Sequence, residues 1–250
     1  MENKDIEIWN REAQKTLSAT PLDWFSYYMN KSYRKVTEIG INHVCSDKIN
    51  LLKTDLWNEG IDYQRDVLGL YNNYKNINLY GLDISPIVCH CAKSRIKNIH
   101  IAQGDIRTIP LKSNSFDILL DLSTLDHIPQ NETTNVLREY NRVLKKSGIM
   151  VLVFWYRSLP VRLLLKEGPT QHYFSLNSIK NDVKKHFDII EEYGIGIIPA
   201  FRLGCIVKRL PIPIRNGILN LALRLEHSKY SKIALKNFAG LYVIIGRCKK

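Results

Sequence analysis

Short apolar runs alternate with longer amphipathic segments through the middle of the chain. Buried strands are predicted at 78–83, 99–102 and 116–122, because each range is a short, nearly continuous apolar run. After the first run, Ser85 and Pro86 provide an N-cap and a first-turn residue, and apolar residues then recur at helical spacing. This alternation of strands and helices predicts an α/β fold with a parallel sheet.

An acid or a hydroxyl group follows each of these three strands. Asp83 ends the first strand, Asp105 follows the second, and Ser123 opens a polar cluster after the third. Parallel sheets bind their ligands at the carboxyl ends of the strands. The sequence therefore predicts a binding site along this edge of the sheet.

Three segments taken in order carry a family resemblance. GLDIS, QGDIRTIPLKSNSFDILLDLSTLDHI and LREYNRVLKKSGIMVLVF resemble the middle of the class I S-adenosylmethionine-dependent methyltransferases, over residues 49–193. The resemblance implies a Rossmann-like, doubly wound, seven-stranded sheet with an antiparallel last strand. It also implies an N-terminal helical extension (1–47) and a methyltransferase domain (48–250) with a helical insertion at about 200–238. The expected activity is transfer of a methyl group, with S-adenosylmethionine as the cofactor.

The resemblance assigns cofactor contacts to the strand ends. Asp83, followed by Ile84, would accept hydrogen bonds from both ribose hydroxyls, a task that suits a carboxylate. Asp105 would accept from the adenine amino group, and the backbone of Ile106 would read the ring edge. Ser123 lies where cofactor and acceptor would meet. The alternative is that Asp83 stabilises a helix N-terminus and that Asp105 is a turn residue.

The first predicted strand departs from the family pattern. The family has an acid and a glycine-rich loop here, which lets backbone N–H groups approach the cofactor. This chain has LLKTDLWNEG, with Lys53 in place of the acid and Gly60 as its only glycine. In one interpretation, Thr54, Asp55 and Glu59 bind the cofactor, and one of the two acids accepts from its ammonium group. In the other, the site has decayed and the chain is a non-catalytic binding module.

Two residues after the fourth strand of the family pattern are candidates for the catalytic base. His127 is the first, because an unperturbed imidazole titrates near neutrality, and Asp126 is the second. A structural histidine bonded to a neighbouring loop is the alternative. The sequence does not determine whether the acceptor atom is oxygen, nitrogen or carbon.

Positive charge is concentrated near the C-terminus. Residues 201–250 hold eleven Lys and Arg residues against one acid, Glu226, and so carry +10 of the net charge of +12. A strongly apolar helix is predicted at 216–226, where it would cover the sheet as a lid or meet a partner, a greasy substrate or a membrane surface. These features indicate an amphipathic or anionic small-molecule or lipid-linked acceptor, with membrane contact through residues 201–236. The chain lacks a zinc knuckle, an added RNA-binding domain and an Asn-Pro-Pro-aromatic motif, which argues against a nucleic-acid substrate.

The cysteine spacing and the hydropathy of the chain indicate whether to expect a metal site, a membrane-spanning helix or a secretory signal. The five cysteines are irregularly spaced, and Cys89, His90 and Cys91 are adjacent helical positions that point in different directions, so no metal site is expected. No apolar run approaches the ~18 residues of a spanning helix, and the first residues are too charged for a secretory signal. We therefore expect a cytoplasmic protein, with contact at the membrane surface as the one addition.

Overall fold

The computed structural model describes residues 3–17, 24–62, 66–164, 166, 168, 170–196, 209–228 and 238–250. Its centre is one seven-stranded sheet with the strand order β3-β2-β1-β4-β5-β7-β6. The strands are β1 (Ile49–Lys53), β2 (Ile77–Asp83), β3 (Ile99–Gln103), β4 (Phe116–Leu122), β5 (Leu144–Trp155), β6 (Phe187–Ile195) and β7 (Leu241–Cys248).

Strand direction confirms the predicted fold class. The strands β1 to β5 pair in parallel, whereas β7 lies antiparallel to both β5 and β6. The sheet order reverses at β1 and β4, which are neighbours in the middle of the sheet. Ligands of open α/β sheets bind at this switch point, outside the carboxyl ends of the strands.

Helices cover both faces of the sheet. They are α1 (Asn3–Leu17), α2 (Trp24–Asn42), α3 (Trp57–Gly60), α4 (Pro86–Arg95), α5 (Thr133–Val143), α6 (Leu159–Leu164), α7 (Leu176–His186) and α8 (Ile212–Glu226). Alternate strand residues feed two separate apolar cores, as the two-residue period of a strand requires. One core contains Val36 of α2 and Val88 of α4, and the other contains Leu137 of α5 and Val183 of α7.

The segment after β1 differs from its predicted form. The spacing of Val67 and Leu70 predicts a helix with an apolar stripe here, but the structure has the single turn α3 and a 3-10 turn at Leu68–Tyr71. Backbone N–H groups here bond to carboxylates: Val67 and Leu68 donate to Glu59, and Gly69 donates to Asp66. These bonds replace those that a continuous helix would make. Tyr63, expected on the same stripe, lies outside the described residues.

Helices flank the sheet at both expected positions. The two helices α1 and α2 precede β1, and α8 lies between β6 and β7, within the range predicted for the insertion. The division into an extension and a domain stays a prediction. In the described part of the chain, no helix combines the length and the apolar character needed to cross a bilayer.

Candidate functional site

A cavity of about 580 Å³ opens at the carboxyl ends of β1, β2 and β4. Its volume is in the range of pockets that enclose a ligand of cofactor size. The structure brings eight of the ten predicted site residues to its wall: Thr54, Asp55, Asp83, Ile84, Asp105, Ile106, Ser123 and His127. The rule that parallel sheets bind ligands at strand ends therefore located this cavity from the sequence.

The two remaining residues, Glu59 and Asp126, do not line the cavity. Glu59 is 1% exposed, and its carboxylate bonds to Lys53 Nζ at 2.9 Å and accepts the Val67 and Leu68 N–H groups. Asp126 is fully buried, accepts from the Ser123 hydroxyl, and accepts the Trp155 N–H at 2.8 Å. The carboxylate oxygens of both acids accept hydrogen bonds from other groups of the protein. The expectation that these two acids face a ligand is therefore wrong.

The loop after β1 presents polar side chains to the cavity without a glycine turn. Thr54 and Asp55 lie in the wall. The Asp55 Oδ1 atom accepts the Trp57 N–H at 2.6 Å, which orients the carboxylate at the start of α3. Trp57 also lines the cavity, and its ring meets that of Trp9 edge-on, with 6.0 Å between the centroids.

Asp83 is a buried carboxylate that faces the cavity from the end of β2. Its Oδ2 atom accepts the Leu56 N–H at 2.9 Å, and its Oδ1 atom accepts the Ser85 N–H at 2.8 Å. Each oxygen keeps a second lone-pair site. Burial, followed by the nearby charge of Asp55, raises the pKa of Asp83 to about 7. Asp83 therefore changes its charge near neutral pH.

Asp105 forms an ion pair that its position in the sequence did not indicate. The Arg107 guanidinium contacts both of its oxygens, with Nη2 at 2.5 Å from Oδ2 and Nε at 3.0 Å from Oδ1. The same guanidinium reaches Asp5 of α1 at 2.7 Å and Glu132 at 3.2 Å. Arg107 thereby ties the N-terminal helix to the loop after β3. The role of Asp105 toward an adenine stays a prediction.

The turn after β4 holds Ser123 in an uncommon backbone conformation. Its φ is +77°, which is in the left-handed region that L-residues seldom adopt. The hydroxyl of Ser123 donates to Asp126, and the Asp126 carbonyl accepts the His172 N–H at 2.7 Å. Strained residues of this kind persist where the surroundings fix them, often at functional sites. Asp126 thus holds the cavity-lining residues Ser123, Trp155 and His172 in place through hydrogen bonds, without lining the cavity itself.

His127 is held in one tautomer at the cavity wall. Its Nδ1 atom lies 2.6 Å from the Thr170 carbonyl oxygen, which can only accept, so Nδ1 carries the proton. Burial lowers the pKa of His127 below its usual value of 6.5, although the bond to Thr170 opposes that shift. At neutral pH the ring is therefore uncharged, and Nε2 has a free lone pair. This combination is what a general base requires.

Aromatic and apolar side chains complete the cavity, and the sequence did not assign Trp9, Trp155 or Leu241 to it. Trp9 of α1 meets the His127 ring edge-on at 4.7 Å between centroids. Met29, Tyr33, Trp155 and Leu241 lie in the same wall. An aromatic-rich N-terminal segment was the one sequence signal for this part of the site. Arg107 had a weaker signal, its position two residues after Asp105.

The described residues contain no group of three His, Cys, Asp or Glu side chains placed to hold a metal ion. The chemistry of the cavity is instead that of carboxylates, hydroxyl groups and the two imidazoles of His127 and His172 beside a partly aromatic wall. Such a wall suits a ligand with a cationic part and a flat ring.

Comparison with known proteins points to one group of enzymes. Residues 63–152 match the family described as "Methyltransferase domain". The chain is 36% identical over 74 residues to a demethylmenaquinone methyltransferase of Staphylococcus haemolyticus, which covers 28% of this chain and 30% of that protein. It is 30% identical over 91 residues to a ubiquinone/menaquinone biosynthesis C-methyltransferase of Campylobacter jejuni, at 36% of this chain and 37% of that protein.

The fold is shared with solved structures over most of the chain. A SAM-dependent methyltransferase from Methanosarcina mazei superposes with a TM-score of 0.55 at 14% identity, over 83% of this chain and 96% of that chain. In contrast, the curated relatives are matched over less than half of their own length.

Proposed function

Because the chain belongs to the class I S-adenosylmethionine-dependent methyltransferase superfamily, we propose that it transfers a methyl group from S-adenosylmethionine to a small-molecule acceptor. The observation that carries this proposal is the set of strand-end carboxylates, Asp55 and Asp83, in one cavity with an uncharged His127. The proposal adopts the first of the two interpretations of the altered loop after β1, in which the loop still binds the cofactor.

The donor set of the cavity fits S-adenosylmethionine. Its sulfonium and ammonium groups are cationic, and the carboxylates of Asp55 and Asp83 offer the complementary charge. Asp83 keeps an acceptor site on each oxygen for the ribose hydroxyls. We assign Asp105 and Ile106, which also line the cavity, to the adenine, and Arg107 pairs with Asp105 beside them.

The protein's share of the chemistry is positioning and, where needed, proton removal. The methyl group is already activated on a sulfonium, so holding the two reactants in line and excluding water supplies most of the acceleration. Trp9 and Trp155 give the wall apolar surface from which a bound ligand displaces water. Where the acceptor must lose a proton, His127 Nε2 takes it, and the bond from Nδ1 to Thr170 keeps the ring in the required tautomer.

Calorimetric titration tests the binding part of the proposal. We expect S-adenosylmethionine and its demethylated product to bind with dissociation constants near the micromolar level, on the order of −8 kcal/mol. Absence of binding by tens of micromolar protein would contradict the proposal and favour a non-catalytic module. Transfer of a tritium-labelled methyl group would then be measured with a reduced demethylmenaquinone analogue, simple phenols and prenyl phosphates as acceptors.

The helix α8 supports a further proposal about the acceptor, that it is amphipathic and met at a membrane surface. Ile214, Ile218, Leu221 and Leu225 follow one another at spacings of four, three and four residues and form one apolar stripe. Ile214, Leu221 and Leu225 are between 48% and 59% exposed. The opposite side of the helix packs against α2 through buried Leu219 and Ala222.

The prediction that α8 covers the sheet as a lid stays a prediction, but the helix contributes no wall to the cavity. The described residues that line the cavity include Met29 and Tyr33 of α2 but none of α8. The apolar stripe therefore faces outward while α8 supports the helix that borders the cavity. A membrane-facing role is compatible with this position, because about half of the surface of Ile214, Leu221 and Leu225 is exposed.

The charged residues of α8 favour an anionic membrane surface as the partner that contacts the apolar stripe. Its one acid, Glu226, is fully buried and accepts from the Ser32 hydroxyl at 3.1 Å. Arg224 is exposed and Arg215 is half-buried, so the charges that reach the solvent are positive. Each Lys or Arg near an anionic bilayer contributes about 1 kcal/mol to binding, and insertion of the stripe adds to that.

Vesicle co-sedimentation tests the membrane proposal. We expect binding to vesicles that contain phosphatidylserine, weaker binding at high salt, and little binding to neutral phosphatidylcholine vesicles. The double variant Ile214→Ser, Leu221→Ser should lose most of this binding. The variant Leu70→Ser, which changes an exposed leucine elsewhere, should bind as the wild type does. No pelleting with either lipid, or concentration-dependent dimers blocked by the double variant, would assign the stripe to another partner.

A further inference from the structure

Lys53, at the end of β1, has a fully buried charged side chain. Its Nζ atom lies 2.9 Å from Glu59 Oε2, and both side chains are 0% exposed. Burial alone would lower the pKa of Lys53, but the carboxylates of Glu59 and Asp55 raise it above its usual value, so the ammonium group stays charged. Burying two charges is costly and adds little net stability, which makes another role for the pair worth testing.

The second donor contact of Lys53 is with the backbone of the loop. Nζ also bonds to the carbonyl oxygen of Asp55. The N–H on the other side of the same peptide group, that of Leu56, donates to Asp83 Oδ2 at 2.9 Å. The peptide between Asp55 and Leu56 is therefore held at both ends, by an ammonium on its oxygen and by a carboxylate on its nitrogen.

Glu59 anchors this arrangement to the next segment. While one oxygen binds Lys53, the other accepts the N–H groups of Val67 at 3.2 Å and Leu68 at 3.3 Å. The pair thus joins the end of β1, the turn α3 and the segment after it. These bonds fix the backbone of a loop that contains no glycine between Lys53 and Glu59.

We infer that Lys53 and Glu59 are positioning residues for the cofactor: they orient the Asp55–Leu56 peptide so that the loop offers acceptor groups to the cavity. The Leu56 N–H is committed to Asp83, and the Asp55 carboxylate lies in the cavity wall. A loop with this polarity suits the cofactor's ammonium group, whereas a loop that presents N–H groups suits a carboxylate. The inference rests on the proposed function.

The double variant Lys53→Met, Glu59→Gln tests the inference. It removes both charges at similar volume, and Gln retains an oxygen that can accept the Val67 and Leu68 N–H groups. We expect it to fold with a melting temperature close to that of the wild type. Its affinity for S-adenosylmethionine should fall about tenfold or more, because the Asp55 carbonyl loses its charged partner.

A matched control removes an ion pair that lies outside the cavity wall. Lys180 on α7 and Glu192 on β6 lie 2.6 Å apart, and neither lines the site. The variant Lys180→Met, Glu192→Gln should bind the cofactor with unchanged affinity. Amide hydrogen exchange supplies an independent readout, since the Leu56 N–H should exchange faster in the Lys53 variant than in the control.

The outcomes separate this inference from the proposed function. Absence of cofactor binding by the wild type refutes the function, and the inference with it. Wild-type binding with unchanged affinity in the Lys53→Met, Glu59→Gln variant refutes the inference alone. Should that variant not fold, Glu59→Gln by itself decides: lost affinity at retained fold supports the role of the pair, and unchanged affinity overturns it.

Discussion

Replacing His127 by Asn should slow methyl transfer by a factor of about 10²–10⁴, the usual contribution of a positioned general base. The reason is that the Nε2 lone pair is lost, while the Asn amide can still donate to the Thr170 carbonyl that His127 contacts at 2.6 Å. Affinity for S-adenosylmethionine should change little, because His127 acts on the acceptor. Labelled methyl transfer and calorimetry measure the two quantities separately.

The pH dependence of the rate offers a second check on His127. Burial lowers its pKa below 6.5, so the base is already deprotonated at neutral pH. At saturating cofactor, the pH at which the rate falls to half its maximum should therefore lie below 6.5. The ¹⁵N chemical shifts of the ring should show the proton on Nδ1. An unchanged rate in the variant, or an equal loss in the control His100→Asn on β3, would make His127 a structural residue.

Replacing Asp83 by Asn should weaken cofactor binding by ~1.5–3 kcal/mol, about tenfold to 150-fold, as expected for hydrogen bonds to a charged acceptor. The amide offers one acceptor oxygen, whereas the carboxylate uses both oxygens for the Leu56 and Ser85 N–H groups and has sites left for a ligand. The matched control Asp117→Asn changes a buried acid of β4 that pairs with Lys145 and does not line the cavity. Its cofactor affinity should equal that of the wild type.

The pKa of about 7 adds a pH signature to Asp83. Below pH 7 the free protein holds a proton on this carboxyl, and a ligand that needs the ionised form must displace it. Affinity should therefore rise from pH 6 to pH 8 and then level off, by about tenfold per pH unit at most. The Asn variant should lose this slope. A drop in melting temperature without any change in affinity would leave Asp83 as a structural cap.

Much of the fold could be predicted because the apolar runs are short and bounded by polar turns. The strand β4 begins and ends where the sequence indicated, at Phe116 and Leu122. The apolar run that predicts β5 starts at Ile149, but the strand itself starts five residues earlier. Its first residue, Leu144, pairs with Phe116 before a register shift leads to the pairing of Ile149 with Ile118. Long-range pairing extended that strand beyond its apolar run.

The sequence predicts which residue faces the cavity where a single polar residue ends a strand. It predicts this less well where several polar residues are adjacent. Asp83 and Asp105 reach the cavity because each ends or follows a strand. In the cluster after β4, His127 faces the cavity and Asp126 faces the interior. Adjacent residues of a tight turn point in different directions, and only packing decides which of them meets a ligand.

By itself, the sequence determined the α/β class, the strand-end position of the cavity and the family resemblance, because hydrophobic period and strand-end chemistry are local properties. Tertiary structure alone decided which charges are used internally. Glu59 serves Lys53, Arg107 joins Asp105 to α1, and the apolar stripe of α8 turns away from the cavity. Arg107 and Asp5 are far apart in the sequence, and Lys53 and Glu59 are close, but each pair meets only when the sheet and its helices pack together.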